Sequence, residues 1–128
     1  YPAAPKFSVM ISHVKDIAKA HVLSLNNKKA EGRRLIVGSE TRSILELSKI
    51  MAENIPSHSK KLPKKELPNF MVKLISYVDS SAKNLVPDLG LKMETDTKYA
   101  EEILQMKFIE PEVSVVDEAK SVIRLNLA

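Results

Sequence analysis

The sequence predicts a helix-rich α/β domain, with about five helices and two or three short strands. Three observations carry that prediction. A β-like run, Phe7–Ile11, passes through a polar turn into an amphipathic helix that ends near Leu25. A second apolar run, Arg34–Val37, returns after Gly32. Downstream, segments with a capping residue and apolar positions three and four apart recur to the end of the chain. A strand, a helix and a returning strand are the smallest unit on which the remainder can pack.

Tyr1–Lys6 contains Pro2 and Pro5 and reads as an extended lead-in. Phe7, Val9 and Ile11 alternate with Ser8 and Ser12, with Met10 blurring the period of two. His13, Val14 and Lys15 make the turn. Asp16 stands where a structural N-cap belongs, its carboxylate available to the first free N–H groups. Ile17, Ala20 and Leu23, with Ala18, Val22 and Leu25, give the helix one broad apolar side. The polar run Asn26–Gly32 ends it, and Gly32 suits a left-handed residue. Leu35, Ile36 and Val37 are nearly continuous, as in a strand covered on both faces.

Ser43 and Glu46 have capping-box spacing. Ile44, Leu47, Met51 and Ile55 form one stripe, so this helix runs to about Asn54. Pro56–Glu66 is a linker rich in Lys, Ser and Pro. Pro68 opens a new helix, whose apolar face is Phe70, Met71, Leu74, Ile75 and Val78. Asp79 is a fresh cap, the short helical turn through Leu85 and Val86 ends near Pro87, and Gly90 marks a turn. Leu91–Glu94 is a third short strand, and Thr95-Asp96 caps a helix through Ala100, Ile103 and Leu104. Glu110-Pro111 breaks the chain. Ser114 and Asp117 suit a final helix N-terminus, with Val115, Val116, Ala119, Val122 and Ile123 as its buried face. Met51, Met71 and Met93 sit in apolar patterns and read as core.

Residues 1–128 fit a single domain by length, with a hydrophobic fraction of 44% that is ordinary for a packed core. No apolar run approaches the roughly 18 residues of a spanning helix, so no membrane partner is expected. The chain opens at Tyr1 without a basic and apolar leader, so no signal peptide is expected, and the missing Met points to a fragment or a processed product. With no cysteine there are no disulfides and no thiolate metal sites, and a reducing, cytoplasmic setting is the expectation. The net charge of +4 is concentrated at Lys60, Lys61, Lys64 and Lys65. Aromatics make up only 5% of the chain, so that segment lacks the stacking residues of a nucleic-acid site and reads as a solvated loop.

The search for chemistry returns mostly exclusions. Phosphate-cradling loops need clustered glycines, whereas Gly32, Gly38 and Gly90 are far apart. A Tyr-x-x-x-Lys pair would place a phenol and an ammonium on one helix face for proton transfer. Tyr1, Tyr77 and Tyr99 are instead followed at that spacing by Pro5, Ser81 and Ile103. No catalytic residue is therefore assigned. His13, His21 and His58 lack zinc spacing, and no metal is expected. His21 reads as a helix-surface residue; His13, at the turn closing a strand, is placed to line a pocket. The pairs Glu101-Glu102 and Asp117-Glu118 read as solvated surface.

His13–Leu25, HVKDIAKAHVLSL, resembles the His-x-x-Asp-[Val/Ile]-Ala-x-Ala-His segment of extended short-chain dehydrogenases/reductases, most closely their dihydroflavonol reductase-like aldehyde and ketone reductase branch. Lys28–Glu40 resembles that branch's Gly-Arg-[Tyr/Phe]-Ile-x-x-Ser strand. Ser80–Leu104 resembles its Pro-x-Leu-Gly and Asp-x-x-Lys elements, and Val115–Ile123 its last helix. The likeness runs over nearly the whole chain but corresponds only to the second half of such an enzyme. It implies the C-terminal, substrate-binding lobe of a Rossmann-type reductase, without the N-terminal dinucleotide-binding domain. NAD(P) would belong to the full-length parent and not to this chain alone. The implied partner is a small carbonyl substrate, and the implied pocket wall is Met10, Ser12 and His13, with Ile11 between them. A nucleotide-sugar epimerase/dehydratase lobe and a non-catalytic binding domain of the same fold are the alternatives. Three departures stand out: Ser12 and Lys15 replace the usual residues, and Gln105-Met106 replaces a Leu-Gly-[Phe/Trp] ending.

Overall fold

Helices dominate the computed structural model, which describes residues 3–91 and 93–127. The chain divides into two units, one made of Tyr1–Val9 and Arg42–Met93, the other of Met10–Thr41 and Glu94–Ala128. Strands β2 (Ser8–Met10) and β3 (Thr41–Ser43) pair with one another. Along them the chain leaves the first unit and later re-enters it. Backbone bonds flanking the pair, Ile44 N–H to Phe7 O (3.0 Å) and Ile11 N–H to Glu40 O (3.0 Å), run in the antiparallel sense.

In the first unit, β1 (Ala4–Pro5) lies parallel to β4 (Glu66–Leu67), with Ala4 opposite Glu66. The predicted lead-in is thus a strand in part. Helix α2 (Ile44–Asn54) begins and ends where the sequence places it. The Ser43 N–H (2.8 Å) and hydroxyl (2.7 Å) both donate to Glu46 Oε2, and the Glu46 N–H returns a bond to Ser43 Oγ (3.2 Å). The bond from the Ser43 backbone, then that from its hydroxyl, hold the Glu46 carboxyl below the usual carboxylate range, with smaller help from Arg42 and Lys49. A depressed folded-state pKa contributes stability at neutral pH that is lost as pH falls through that value. Loss of the cap in Ser43→Ala should cost about 0.5–2 kcal/mol. The deficit, read from urea midpoints, should be larger at pH 7 than in acid.

The lysine-rich segment forms a 3₁₀ helix, Pro56–Lys61. Helix α3 (Asn69–Ile75) follows Pro68, and α4 (Ser80–Leu85) is capped by Asp79, whose carboxylate accepts from the Ser81 N–H at 2.8 Å. Gly90 turns the chain at φ +81° and donates its N–H to Lys6 O (2.8 Å). Ala4, Val72 and Ala82 are the buried apolar side chains here. The predicted burial of α3's apolar face is overturned: Phe70, Met71, Leu74 and Val78 are all exposed. Met71 and Met93 are likewise at the surface rather than in the core. Of the predicted strand Leu91–Glu94, residues 91, 93 and 94 are irregular, and Lys92 lies outside the described residues.

In the second unit, α1 (Val14–Leu25) starts three residues earlier than Asp16 as cap requires. His13 is the N-cap, its Nδ1 accepting from the Lys15 N–H at 3.1 Å. The helix buries Asp16 and Ala20 and half-buries Leu23. Its other apolar residues, Val14, Ile17, Ala18, Val22 and Leu25, are exposed. The predicted broad buried side is therefore only a narrow stripe. Gly32 takes φ +65° as expected. Arg34–Val37 forms no ladder: Leu35 and Val37 pack inward, Ile36 faces out, and the strand comes later, as β3. The core gathers Ala20, Leu104 and Met106, with Leu23, Leu35, Val37, Ile103 and Phe108 against it.

Helix α5 (Lys98–Leu104) ends on Gln105 at φ 50°, left-handed. This is where the related pattern has glycine, and a side chain there strains the backbone. Gln105→Gly should stabilise the fold by about 0.5–1 kcal/mol. Gln105→Ala should give no gain in melting temperature. Helix α6 (Pro111–Arg124) starts one turn before Ser114, because Pro111 does not break the chain but occupies the helix's first turn. Val115 is buried, and Val116, Ala119, Val122 and Ile123 are half-buried on the predicted face.

Candidate functional site

A groove of about 940 Å³ opens in the second unit, between the Met10–Ile17 segment and one face of α6. Local chain geometry creates it. β2 ends at Met10, and the chain runs extended through Ile11 and Ser12 until His13 starts α1. Met10, Ser12 and His13 all line the groove, so the structure brings the three sequence-predicted site residues together.

Their polar atoms are already committed. The Ser12 hydroxyl donates to Val37 O at 2.7 Å, which fixes the following strand-like segment and leaves Ser12 Oγ as an acceptor. His13 is buried, and its Nδ1 accepts the Lys15 N–H, so the neutral ring carries its proton on Nε2. Nε2 lies 3.4 Å from Asp117 Oδ2, a long contact to a half-exposed carboxylate. The backbone of Ile11 is paired on both sides, its O taking the Ser39 N–H (2.8 Å) and hydroxyl (3.2 Å). The groove thus offers an apolar thioether wall at Met10 and oxygen acceptors at Ser12 and Asp117.

Three contributions escape the sequence reading. Gly38 is buried against the wall: a Cβ there would stand 2.8 Å from Met10 Sδ and from Ser12 Oγ. Asp117, read as solvated, contacts His13. Helix α6 lays Ser114, Asp117, Ser121 and Arg124 along the groove, at three- and four-residue spacing that was visible in the sequence. Asp16 lines no groove. Its Oδ2 accepts the Ile109 N–H at 2.7 Å, joining α1 to the segment before α6 across 93 residues of sequence. His21 bonds the carbonyl of Ile17 within its own helix (2.7 Å). Among the described residues no group of His, Asp and Glu is arranged for a metal ion.

No family model matches the chain, and no curated protein sequence does. Solved structures do. Yeast methylglyoxal/isovaleraldehyde reductase Gre2, complexed with NADPH, superposes with a TM-score of 0.68 at 21% identity, over 98% of this chain and 36% of its own. Gre2 of Candida albicans with NADPH gives 0.68 at 20% identity, over 95% and 32%. A reductase engineered to attenuate substrate inhibition in asymmetric catalysis gives 0.64 at 26% identity, over 94% and 31%. The chain has the fold of the C-terminal lobe of extended short-chain reductases. The chain spans about a third of the length of the solved enzymes it matches. No helix among its described residues is long and apolar enough to cross a membrane.

Gly32 and Gly90, the glycines with positive φ, belong to different units, and Gly38 is filled in by Met10 and Ser12. Among the described residues the glycines therefore form no clustered loop of the kind that cradles a phosphate.

Proposed function

We propose that this chain is the substrate-binding lobe of a larger NAD(P)-dependent reductase of small aldehydes or ketones. On this reading it is inactive alone, and the dinucleotide-binding half lies on a segment outside these residues. The reading favours the aldehyde- and ketone-reducing branch and a cytoplasmic enzyme. One observation carries it: Met10, Ser12 and His13 share a groove with the polar stripe of α6, in a chain of this fold. The solved relatives support it, since one is a methylglyoxal/isovaleraldehyde reductase and two are complexed with NADPH. In this role Met10 shapes the apolar wall, and its flexible thioether adapts to aliphatic substituents. Ser12 Oγ and Asp117 accept hydrogen bonds from polar substituents of the substrate, and the buried His13 holds the wall in register with α1.

The test joins the chain to the dinucleotide-binding half of the yeast relative. The joined protein is expected to reduce aldehydes. The chain alone is expected to show no turnover and no micromolar NADPH site by calorimetry. In the joined protein, Met10→Ala should change the ratio of kcat/KM between aldehydes of different bulk by roughly tenfold or more, with unfolding still cooperative. A tight nicotinamide site on the chain alone would overturn the reading. So would a uniform loss across substrates that merely tracks a lower Tm.

A further inference from the structure

Helix α3 wears its amphipathicity outside in. At 100° per residue, Phe70, Leu74, Tyr77 and Val78 fall within an arc of about 100°, and Val72 lies about 170° from its centre. Val72, 3% exposed, is the side chain that anchors the helix. Phe70, Leu74, Tyr77 and Val78, the last two in the turn extending the helix, are 70%, 67%, 87% and 93% exposed. Scattered exposed apolar residues are normal, but a contiguous aromatic and aliphatic stripe opposite the anchor marks a contact surface.

Charge is divided unevenly as well. The unit holding α3 has ten Lys or Arg against five Asp or Glu, a net +5, while the other unit has ten against eleven, a net −1. Lys64 and Lys65 precede α3, Lys73 flanks its apolar stripe, and Lys83 lies on α4; all four are exposed.

We propose that this face docks on an anionic lipid surface. The stripe sets four exposed apolar side chains on a helix, NFMVKLI, and the turn extending it, and the helix carries a lysine and no acidic residue. A bilayer interface needs no matching hollow; it accepts protruding Phe, Leu, Tyr and Val side chains and attracts the lysines around them. A second copy would bring two units of net +5 together, which opposes pairing through this face. The lack of a spanning helix concerns passage through a bilayer and leaves contact with its surface open. The inference is independent of the groove and of any reductase activity.

The test is co-sedimentation of the 128-residue chain with phosphatidylcholine vesicles, with or without about a third phosphatidylserine. Binding is expected only to the anionic vesicles, and it should weaken as salt is raised from low to about 0.5 M. Phe70→Ser/Val78→Ser should lower the bound fraction about tenfold with an unchanged circular dichroism spectrum. Lys73→Glu should weaken binding at low salt only. Absence of vesicle binding, equal binding to neutral vesicles, or unchanged binding by the double variant would each overturn the proposal. So would concentration-dependent dimerisation abolished by the double variant, or capture of an acidic amphipathic peptide, if vesicles do not bind.

Discussion

Asp16→Ala is expected to lower the unfolding free energy by about 2–4 kcal/mol, as the sum of a lost charge-assisted hydrogen bond and an orphaned donor. The carboxylate is 5% exposed and accepts the Ile109 N–H at 2.7 Å. It sits in the first turn of α1, where negative charge also meets the unpaired N–H groups of the helix start. Alanine removes the acceptor and leaves the Ile109 N–H without a partner in a partly buried place. Asp16→Asn keeps an acceptor and loses only the charge, so it should cost about 1 kcal/mol. Equilibrium urea unfolding of both variants decides the matter. Equal, small losses of about 0.5 kcal/mol would mean that the carboxylate acts only on its own helix, not as a tie to the distant segment.

Gly38→Ala is expected to cost about 1–3 kcal/mol, the range for overpacking, and to distort the groove. The new methyl would lie 2.8 Å from Met10 Sδ and Ser12 Oγ and 3.0 Å from Met10 Cε. Met10 can swing its flexible end aside, but Ser12 yields only by giving up its bond to Val37 O. The cost should therefore split between the two neighbours. Adding Met10→Ala to Gly38→Ala should recover part of the loss, a coupling of about 0.5 kcal/mol or more in a double-mutant cycle. Strict additivity would show that the methyl is absorbed elsewhere and that Gly38 does not support the wall.

Local chemistry was legible in the residues themselves. Ser43 and Glu46 announce their capping box because both partners lie within one turn, and Gly32 and Asp79 announce a left-handed turn and a cap for the same reason. The order of motifs along the chain also sufficed for the fold; Met10, Ser12 and His13, expected together at the strand end before α1, line one groove. Where two signals competed locally, the residues misled. Asp16 looked like the cap, yet His13 takes that place, since an imidazole nitrogen also accepts a backbone N–H and Asp16 is drawn to Ile109 instead. Pro111 looked like a break and is a helix start. Apolar periodicity correctly marked α1 and α3 as helices but not which way their apolar sides face. A hydrophobic stripe records that something covers it, not what does. In this chain Ala20 and Val72 turn inward, while Val22, Leu25, Phe70 and Val78 are left at the surface. That choice depends on the small space each helix finds beside it, and on bonds such as Asp16 to Ile109 that join residues far apart in sequence.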